Sequence, residues 1–274
     1  MKEWGNPNGE PWIVLHGFSD NCGSFDRLLP LFPQNQHMIA IDIPGHGFSS
    51  HLGPNDSYHF EDLNYITTVA KYYNFDKFSL MGHSMGGRGA LQFAAENSGM
   101  IIILNYLYSE CNLCILILKL FIIYIGCIKR LIMLDCVMPF YKSIQFKEQK
   151  EMAEEAIKLK IREKLKSGTN SPPKYNYENA VKRMLKASEN LHGYESITKE
   201  DAIILCQRGL RKVSEMDEWE FTRDFRIDVL PLQGHPKEKI LELASKIKCP
   251  HLIIRANMVS NYQQKVRLYP FYHT

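Results

Sequence analysis

Gly82-His83-Ser84-Met85-Gly86 is the stretch of this 274-residue sequence that decides its fold. It fits the pattern G-x-S-x-G, in which small residues at both ends let a strand pass sharply into a helix. The apolar run Phe78 to Met81 precedes the stretch, and Gly86 to Asn97 has the composition of a helix. The sequence therefore predicts a strand, a sharp turn that holds Ser84 at the tip of the strand, and a helix.

Further apolar runs on both sides of this turn predict more strands. Pro11 to Leu15 and His37 to Ile43 each end in a glycine-rich loop, and Ile247 to Ala256 has the same core-type composition. Between His37 to Ile43 and the turn, apolar residues recur at helical spacing after a helix start near Asp56 or Ser57. Strand, helix and strand in this order favour a parallel sheet in an α/β fold.

The connection after the helix at Gly86 to Asn97 is too long for one crossover. Leu131 to Asp135 resembles the next strand, and a helix, a short loop and a strand need about 25 residues. The chain from Ser84 to Asp135 is about twice that long, and the surplus, about residues 99–127, is dominated by Ile, Leu, Tyr and Cys. This composition indicates an apolar insertion.

Two interpretations of the insertion at 99–127 remain open. It is long enough for a membrane-spanning or membrane-dipping helix. Alternatively, it is a non-homologous segment, such as an unremoved intron. The second interpretation is favoured, because charges at bilayer depth are costly and polar or charged residues interrupt the apolar runs. These residues are Asn105, Glu110, Asn112 and Lys119.

The composition of the chain excludes several classes of protein. Apolar residues make up 45% and charged residues 23% of the chain, as in globular proteins rather than disordered or multi-span membrane proteins. A net charge of +3 is too small to indicate a nucleic-acid partner. The absence of a ligand cluster or phosphate-binding loop predicts no metal and no organic cofactor. Seven scattered cysteines and a polar N-terminus predict an intracellular, cytoplasmic location, with peroxisomal or membrane association as alternatives.

Ser84 is the candidate nucleophile of the chain. Free N–H groups at a helix N-terminus, together with the helix dipole, favour the negative charge that develops on an attacked carbonyl. The backbone N–H groups of Met85 and Phe18 are the candidate donors of an oxyanion hole, because acyl transfer needs donors from two loops. Three histidines beside glycine turns are expected to pack or hydrogen-bond locally rather than act as bases: His16, His46 and His83.

Taken together, these motifs resemble the α/β-hydrolase superfamily. The residues that carry the resemblance are Leu15 to Phe18, Asp42 to Ser49, Gly82 to Gly87 and Leu131 to Asp135. Within the superfamily, three further stretches resemble the serine hydrolase-like protein family: Ser24 to Leu31, Gln207 to Gly209 and Ile254 to Asn257. The resemblance implies a mostly parallel sheet, a helical cap inserted after Asp135, a nucleophilic Ser84 and hydrolysis of an ester-like bond.

The resemblance also divides the chain into three parts. Residues 1–139 are expected to form the first part of the α/β-hydrolase core, including the insertion. Residues 140–245, which are charged and rich in helical patterns, form the cap, and residues 246–274 form an incomplete last part of the core. The expected partner is a small ester-like molecule. A membrane contact through 99–127 is the less favoured possibility.

Both ends of the chain depart from the pattern of the superfamily. The catalytic histidine is expected near the C-terminus, after another helix and strand that need about 40 residues. Fewer residues follow Ala256, and the one histidine among them, His273, lies beside the chain end and is expected to be disordered. Trp4 to Gly9 leaves little room for the antiparallel strands that usually come first. The fold is therefore expected to be truncated at both ends.

The sequence also leaves the identity of the catalytic acid open. Asp135 ends a predicted strand where some superfamily members carry the acid, and the alternative is an aspartate that caps a helix or fixes a loop. Two functions follow from these observations. The chain is either an active serine hydrolase, or a catalytically inactive or truncated relative that keeps a binding cleft but lacks its C-terminal histidine.

Overall fold

The computed structural model describes residues 1–53, 56, 58–59, 62–97, 101–107, 173–192, 197–224, 226–227, 237–246, 251–257 and 265–269. Its strands are β1 (Lys2–Gly5), β2 (Glu10–Leu15), β3 (Gln36–Ile41), β4 (Phe78–His83), β5 (Ile101–Leu107), β6 (Leu210–Lys212), β7 (Trp219–Phe221), β8 (His251–Asn257) and β9 (Lys265–Tyr269). Its α-helices are α1 (Asn64–Tyr72), α2 (Met85–Glu96), α3 (Tyr177–His192), α4 (Lys199–Gly209) and α5 (Lys237–Lys246).

Seven of these strands form one mixed sheet, in the order β1-β3-β2-β4-β5-β8-β9. The five central strands are parallel to their neighbours, whereas β1 and β9 pair antiparallel at the two edges. Continuous apolar runs form the central strands, and Ile13, Val14 and Leu15 of β2 are fully buried. This is the burial pattern of a parallel sheet covered on both faces. The mostly parallel sheet predicted from the sequence is confirmed.

Two helices from the first part of the chain pack on this sheet. Helix α1 buries Ile66, Val69 and Ala70 in the main core. It begins at Asn64, later than the predicted start near Asp56 or Ser57, and the Asp62 carboxylate accepts a hydrogen bond from the N–H of Asn64. Helix α2 follows β4 after one residue, as predicted, and buries one face that includes Ala90, Leu91 and Phe93.

The N-terminal residues form a strand that the sequence analysis missed. Lys2 to Gly5 pairs antiparallel with β3, with Trp4 opposite Met38. Gly5 then turns the chain at φ +82°, and a Cβ atom there would lie 2.1 Å from the carbonyl oxygen of Gln36. Four residues suffice for an edge strand because glycine permits this close approach. The sequence indicated little room for antiparallel strands before β2, and the structure places one of four residues there.

The structure also corrects the strand that lies next to β4. The sequence predicted Leu131 to Asp135 for this place, but β5, from the predicted insertion, pairs with β4 and with β8. Ile101 to Leu104, the start of β5, is as apolar as Leu131 to Leu134, and periodicity alone does not choose between two short apolar runs. Residues 108–172, which include Leu131 to Asp135 and most of the insertion, lie outside the described residues.

A second, smaller unit forms from helices α3 and α4 and the two-stranded sheet of β6 and β7. Its apolar cluster includes Ala180 and Val181 of α3 and Ala202 and Cys206 of α4. A capping box between Thr198 and Asp201 starts α4. Helix α4 ends at Gly209, and the chain continues directly into β6. This unit corresponds to part of the predicted cap.

The predicted boundary between the cap (140–245) and the last part of the core (246–274) falls inside helix α5. Its Leu243 is 3% exposed and belongs to the main core cluster rather than to the cap cluster. We therefore propose that the cap ends before α5. Within the described ranges, no helix has both the length and the apolar composition needed to cross a bilayer.

Candidate active site

The sharp turn between β4 and α2 presents Ser84 at the surface. Ser84 is exposed and has φ +49° and ψ −113°, a backbone conformation that a residue with a side chain rarely adopts. The residues on either side, Gly82, Met85 and Gly86, are buried. An exposed serine on a strained turn at a helix N-terminus is the arrangement of a nucleophile elbow.

The two glycines of the motif let this turn pack tightly. A Cβ atom on Gly82 would lie 2.5 Å from the backbone of Gly86, and one on Gly86 would lie 2.4 Å from the carbonyl oxygen of Leu15. Contacts this short do not occur between a Cβ atom and fixed backbone atoms. Glycine at both positions is therefore required for the elbow to close and to pack against the end of β2.

The loop after β2 lies against the elbow. Strands β2 and β4 are parallel neighbours, so Leu15 pairs with Gly82 and both chains leave the sheet at the same edge. A Cβ atom on Gly17 would lie 3.5 Å from Cβ of Ser84. The structure thus brings Phe18, which follows Gly17, to the same edge as Ser84 and Met85, where the oxyanion hole was predicted.

His16 fixes the path of this loop and is not available as a base. Its Nε2 accepts a hydrogen bond from the N–H of Ile43 at 2.9 Å, and its Nδ1 donates to the carbonyl oxygen of Gly17 at 2.8 Å. The ring is fully buried, and this burial lowers the pKa of His16. The predicted local role of His16 is confirmed.

His46 packs against His16 in the glycine turn after β3. The ring centroids are 5.0 Å apart in an edge contact. His46 is 1% exposed, and its pKa is lowered to about 3, chiefly by burial and further by the neighbouring His16. Its Nδ1 lies 3.2 Å from the carbonyl oxygen of Pro44. Both histidines are therefore neutral at physiological pH.

Asp42, at the end of β3, joins the cap to the core. Its fully buried carboxylate accepts hydrogen bonds from Nε and Nη2 of Arg208, in α4, at 2.9 and 2.6 Å. It also accepts from the N–H groups of Cys22 and Phe48. Burial alone would raise the pKa of Asp42, but the Arg208 guanidinium and these N–H groups outweigh it and lower the pKa. The ring of Phe48 lies under the guanidinium at 4.4 Å.

A second buried carboxylate, Asp224, holds the end of the cap on the core. It accepts hydrogen bonds from the Tyr58 hydroxyl at 3.0 Å and from Nη2 of Arg226 at 2.7 Å. Its own N–H donates to the carbonyl oxygen of Gly45. These bonds position Ile227, which is 1% exposed and lies close to Gly45.

A pocket opens beside the elbow, between the core and the end of the cap. Met85, the residue directly after Ser84, forms part of its wall. Most of its other lining residues are apolar or aromatic, among them Ile43, Leu52, Tyr58, Tyr65 and Ile227, and three are polar: His46, His59 and Asp62. Met85 belongs to both the elbow and the pocket, so the pocket adjoins Ser84.

Several predicted site residues are not placed by the structure. Asp135, the candidate acid, and His273 lie outside the described residues and stay predictions. In the ranges that the structure describes, no group of three or more His, Cys, Asp or Glu side chains could hold a metal ion. Sequence reasoning missed the roles of Arg208 and Ile227. Arg208 lay in a quoted family motif without a role, and nothing in the local sequence marks Ile227.

Comparisons with known proteins agree with this geometry. Residues 11–101 match a family model described as alpha/beta hydrolase fold. The chain is 30% identical to a Drosophila melanogaster protein named "Probable serine hydrolase", over 93% of this chain and 67% of that protein. It is 28% identical to a Danio rerio protein named "Serine hydrolase-like protein", over 92% and 67%. A crystal structure of a hypothetical protein from Pseudomonas aeruginosa superposes with a TM-score of 0.65 at 25% identity, over 92% of this chain and 75% of that one.

Proposed function

Because the chain belongs to the serine hydrolase-like family of α/β hydrolases, we propose that it cleaves carboxylic-ester-like bonds with Ser84 as the nucleophile. The observation that carries this proposal is the conformation of Ser84. A serine with no chemical role gains nothing from an exposed position at φ +49°. Such strain is tolerated where it aims a side chain at a reacting group.

In the proposed reaction, the hydroxyl oxygen of Ser84 attacks the carbonyl carbon of the ester. The carbonyl oxygen becomes an oxyanion, which accepts hydrogen bonds from the N–H groups of Phe18 and Met85. The alcohol then leaves with a proton, and a water molecule releases the acyl group from Ser84. A serine at this position disfavours epoxide opening and halide displacement, for which relatives use an aspartate.

The reaction also needs a base that takes the proton of Ser84. His16 does not serve, because both of its ring nitrogens are already hydrogen-bonded inside the loop. Asp135 remains the proposed acid, which would orient a histidine base as in other serine hydrolases. The competing proposal, an inactive relative without its catalytic histidine, differs only in whether Ser84 is activated.

A fluorophosphonate probe tests the proposal directly, because it labels activated serines and not merely exposed ones. The full chain is expected to incorporate one label, and Ser84→Ala is expected to abolish it. Ser50→Ala is the matched control: Ser50 is also exposed and lies outside the elbow, so its loss is expected to leave labelling intact. A folded chain that does not label would overturn the proposal and support the inactive relative.

A further inference from the structure

Arg223, near the end of the cap, donates a hydrogen bond to the loop that carries the predicted oxyanion-hole donor Phe18. Its guanidinium Nη1 lies 3.2 Å from the carbonyl oxygen of Ser19, across 204 residues of chain. Ser19 directly follows Phe18 in the loop after β2. A side chain of the cap therefore contacts the segment of the core that is proposed to stabilise the oxyanion.

The turn that Arg223 contacts has an unfavourable backbone conformation. The N–H of Asp20 donates to the carbonyl oxygen of Gly17 at 3.3 Å, which closes a turn of four residues. Ser19 is the third residue of this turn and has φ +63°, a value that favours glycine or asparagine at this position. A serine keeps such a conformation where surrounding contacts determine it. The hydrogen bond from Arg223 is one of these contacts.

The first residue of the turn, Gly17, packs directly on the elbow. A Cβ atom on Gly17 would lie 2.8 Å from Nδ1 of His83 and 3.5 Å from Cβ of Ser84. Because Gly17 is held this closely, a change in the backbone of Ser19 would move Phe18 relative to the elbow. The stabilisation of an oxyanion depends on donors at hydrogen-bond distance from it. The conformation of Ser19 therefore affects how well Phe18 can donate.

The backbone of Arg223 is fixed through both of its neighbours in the chain. The N–H of Thr222 donates to the carbonyl oxygen of Gly209 in the cap, and the N–H of Asp224 donates to the carbonyl oxygen of Gly45 in the core, each at 2.9 Å. Thr222 and Asp224 are both buried. The Arg223 side chain thus extends from an anchored segment, so its hydrogen bond can restrain the turn.

We propose that Arg223 is a positioning residue of the hydrolase: its hydrogen bond to Ser19 holds the turn so that the N–H of Phe18 faces the oxyanion formed at Ser84. Arg223 acts through Phe18 and does not itself contact the ester. The cap therefore contributes to the geometry of the reacting groups. This inference rests on the proposed function, in which Ser84 is the nucleophile and Phe18 is a donor.

Hydrolysis of the neutral ester 4-nitrophenyl butyrate by the full chain tests the inference. Arg223→Met is expected to lower kcat about ten- to a hundredfold, because a small misplacement of a catalytic group has an effect of this size. KM is expected to change less than about threefold, since the oxyanion forms only in the transition state. Arg223→Lys keeps a donor and is expected to restore most of kcat. Arg27→Met is the control, because it breaks an ion pair between core and cap whose partners, Arg27 and Asp201, lie outside the turn.

Amide hydrogen exchange, measured by NMR, reports on the turn without requiring turnover. In Arg223→Met, the N–H of Asp20 is expected to exchange at least about fivefold faster, because the turn that it closes opens more often. The N–H of Phe75 donates to the carbonyl oxygen of Ala70 at 2.8 Å, outside the cap and the turn, and its exchange is expected to stay unchanged. Arg223→Lys is expected to slow the exchange of Asp20 again.

Three results would overturn the inference: Asp20 exchanges at the native rate in Arg223→Met, kcat is unchanged, or the loss appears in KM alone. The last result would mean that Arg223 binds the substrate. If Arg223→Met fails to fold, Arg223→Gln, with a shorter polar side chain, takes its place. The proposed function fails separately, when the folded native chain takes up no fluorophosphonate label. Faster exchange of Asp20 without any labelling would show that Arg223 holds the turn of a protein that is not a serine hydrolase.

Discussion

Replacing Arg208 by methionine should destabilise this protein far more than removing an ordinary surface charge. The Arg208 side chain is 14% exposed and that of Asp42 is 0% exposed, so the variant leaves a carboxylate inside the protein without its counter-charge. Methionine keeps most of the length and apolar bulk of the side chain. The change therefore tests the ion pair rather than the packing.

The size of the effect follows from the contacts that remain. Removing one partner of a buried ion pair typically costs about 3–5 kcal/mol. In the variant, the N–H groups of Cys22 and Phe48 still donate to Asp42 at 2.8 and 2.9 Å. The guanidinium contact with the ring of Phe48 is lost as well. We expect a loss of about 3 kcal/mol in the free energy of unfolding at pH 7.

Urea denaturation, followed by tryptophan fluorescence, measures this loss. The control is Arg27→Met, which breaks another ion pair between core and cap, Arg27 with Asp201. The side chains of that pair are 56% and 22% exposed, so its loss is expected to cost less than about 1 kcal/mol. At acidic pH the deficit of Arg208→Met should shrink, because the unpaired Asp42 carboxyl then takes up a proton.

The double variant Asp42→Asn with Arg208→Met distinguishes the cost of an unpaired buried charge from the cost of losing the other contacts of Arg208. It should be more stable than Arg208→Met alone, since no buried charge is left unpaired. The reasoning is refuted if Arg208→Met costs no more than Arg27→Met, or if neutralising Asp42 makes the Arg208 variant still less stable. Either result would mean that the ion pair does not hold the cap on the core.

Two other perturbations have expected outcomes. Gly86→Ala should destabilise the protein by about 1–3 kcal/mol in urea denaturation, because its Cβ would press on the backbone oxygens of Leu15 and His16. By contrast, a Cβ atom on Gly89 in the same helix would meet only the ends of two side chains, Leu63 at 3.1 Å and Tyr65 at 3.7 Å. Gly89→Ala should therefore stay within about 1 kcal/mol of the native chain. Acid should also destabilise the protein. Below pH 6.5, His16 and His46 take up protons in the unfolded chain, but in the folded protein their lowered pKa values keep them neutral. The free energy of unfolding therefore falls as the pH drops from 6.5 toward 3. His46→Phe should lower this slope by about 1 kcal/mol per pH unit between pH 6 and 5, and an unchanged slope would show that His46 is not buried as a neutral ring.

The elbow shows how far local sequence determines this protein. An apolar run, two glycines around x-Ser84-x and a helical segment specify strand, turn and helix through interactions within a few residues. The steric need for glycine at positions 82 and 86 is also local in origin. For this reason the fold class, the strands from β2 to β4 and the exposure of Ser84 could all be predicted.

Which strand lies next to β4 depends on hydrogen bonding across the sheet and could not be predicted from local sequence. Ile101 to Leu104 and Leu131 to Leu134 have the same apolar character, and Ile101 to Leu107 lies next to β4 because it hydrogen-bonds to β4 and β8, strands that are distant from each other in sequence. Similarly, a short run at Lys2 to Gly5 becomes a strand only because β3 offers it a free edge.

The pocket depends entirely on tertiary structure. Arg208 meets Asp42, and Asp224 meets Tyr58, across 166 residues of chain in each pair. No periodicity or local motif predicts contacts between residues so far apart in sequence, because these contacts depend on how the cap packs against the core. The sequence by itself determined the elbow and the sheet that presents Ser84. Only the folded chain brought Ile227 to the pocket, since that contact follows from packing between segments far apart in sequence.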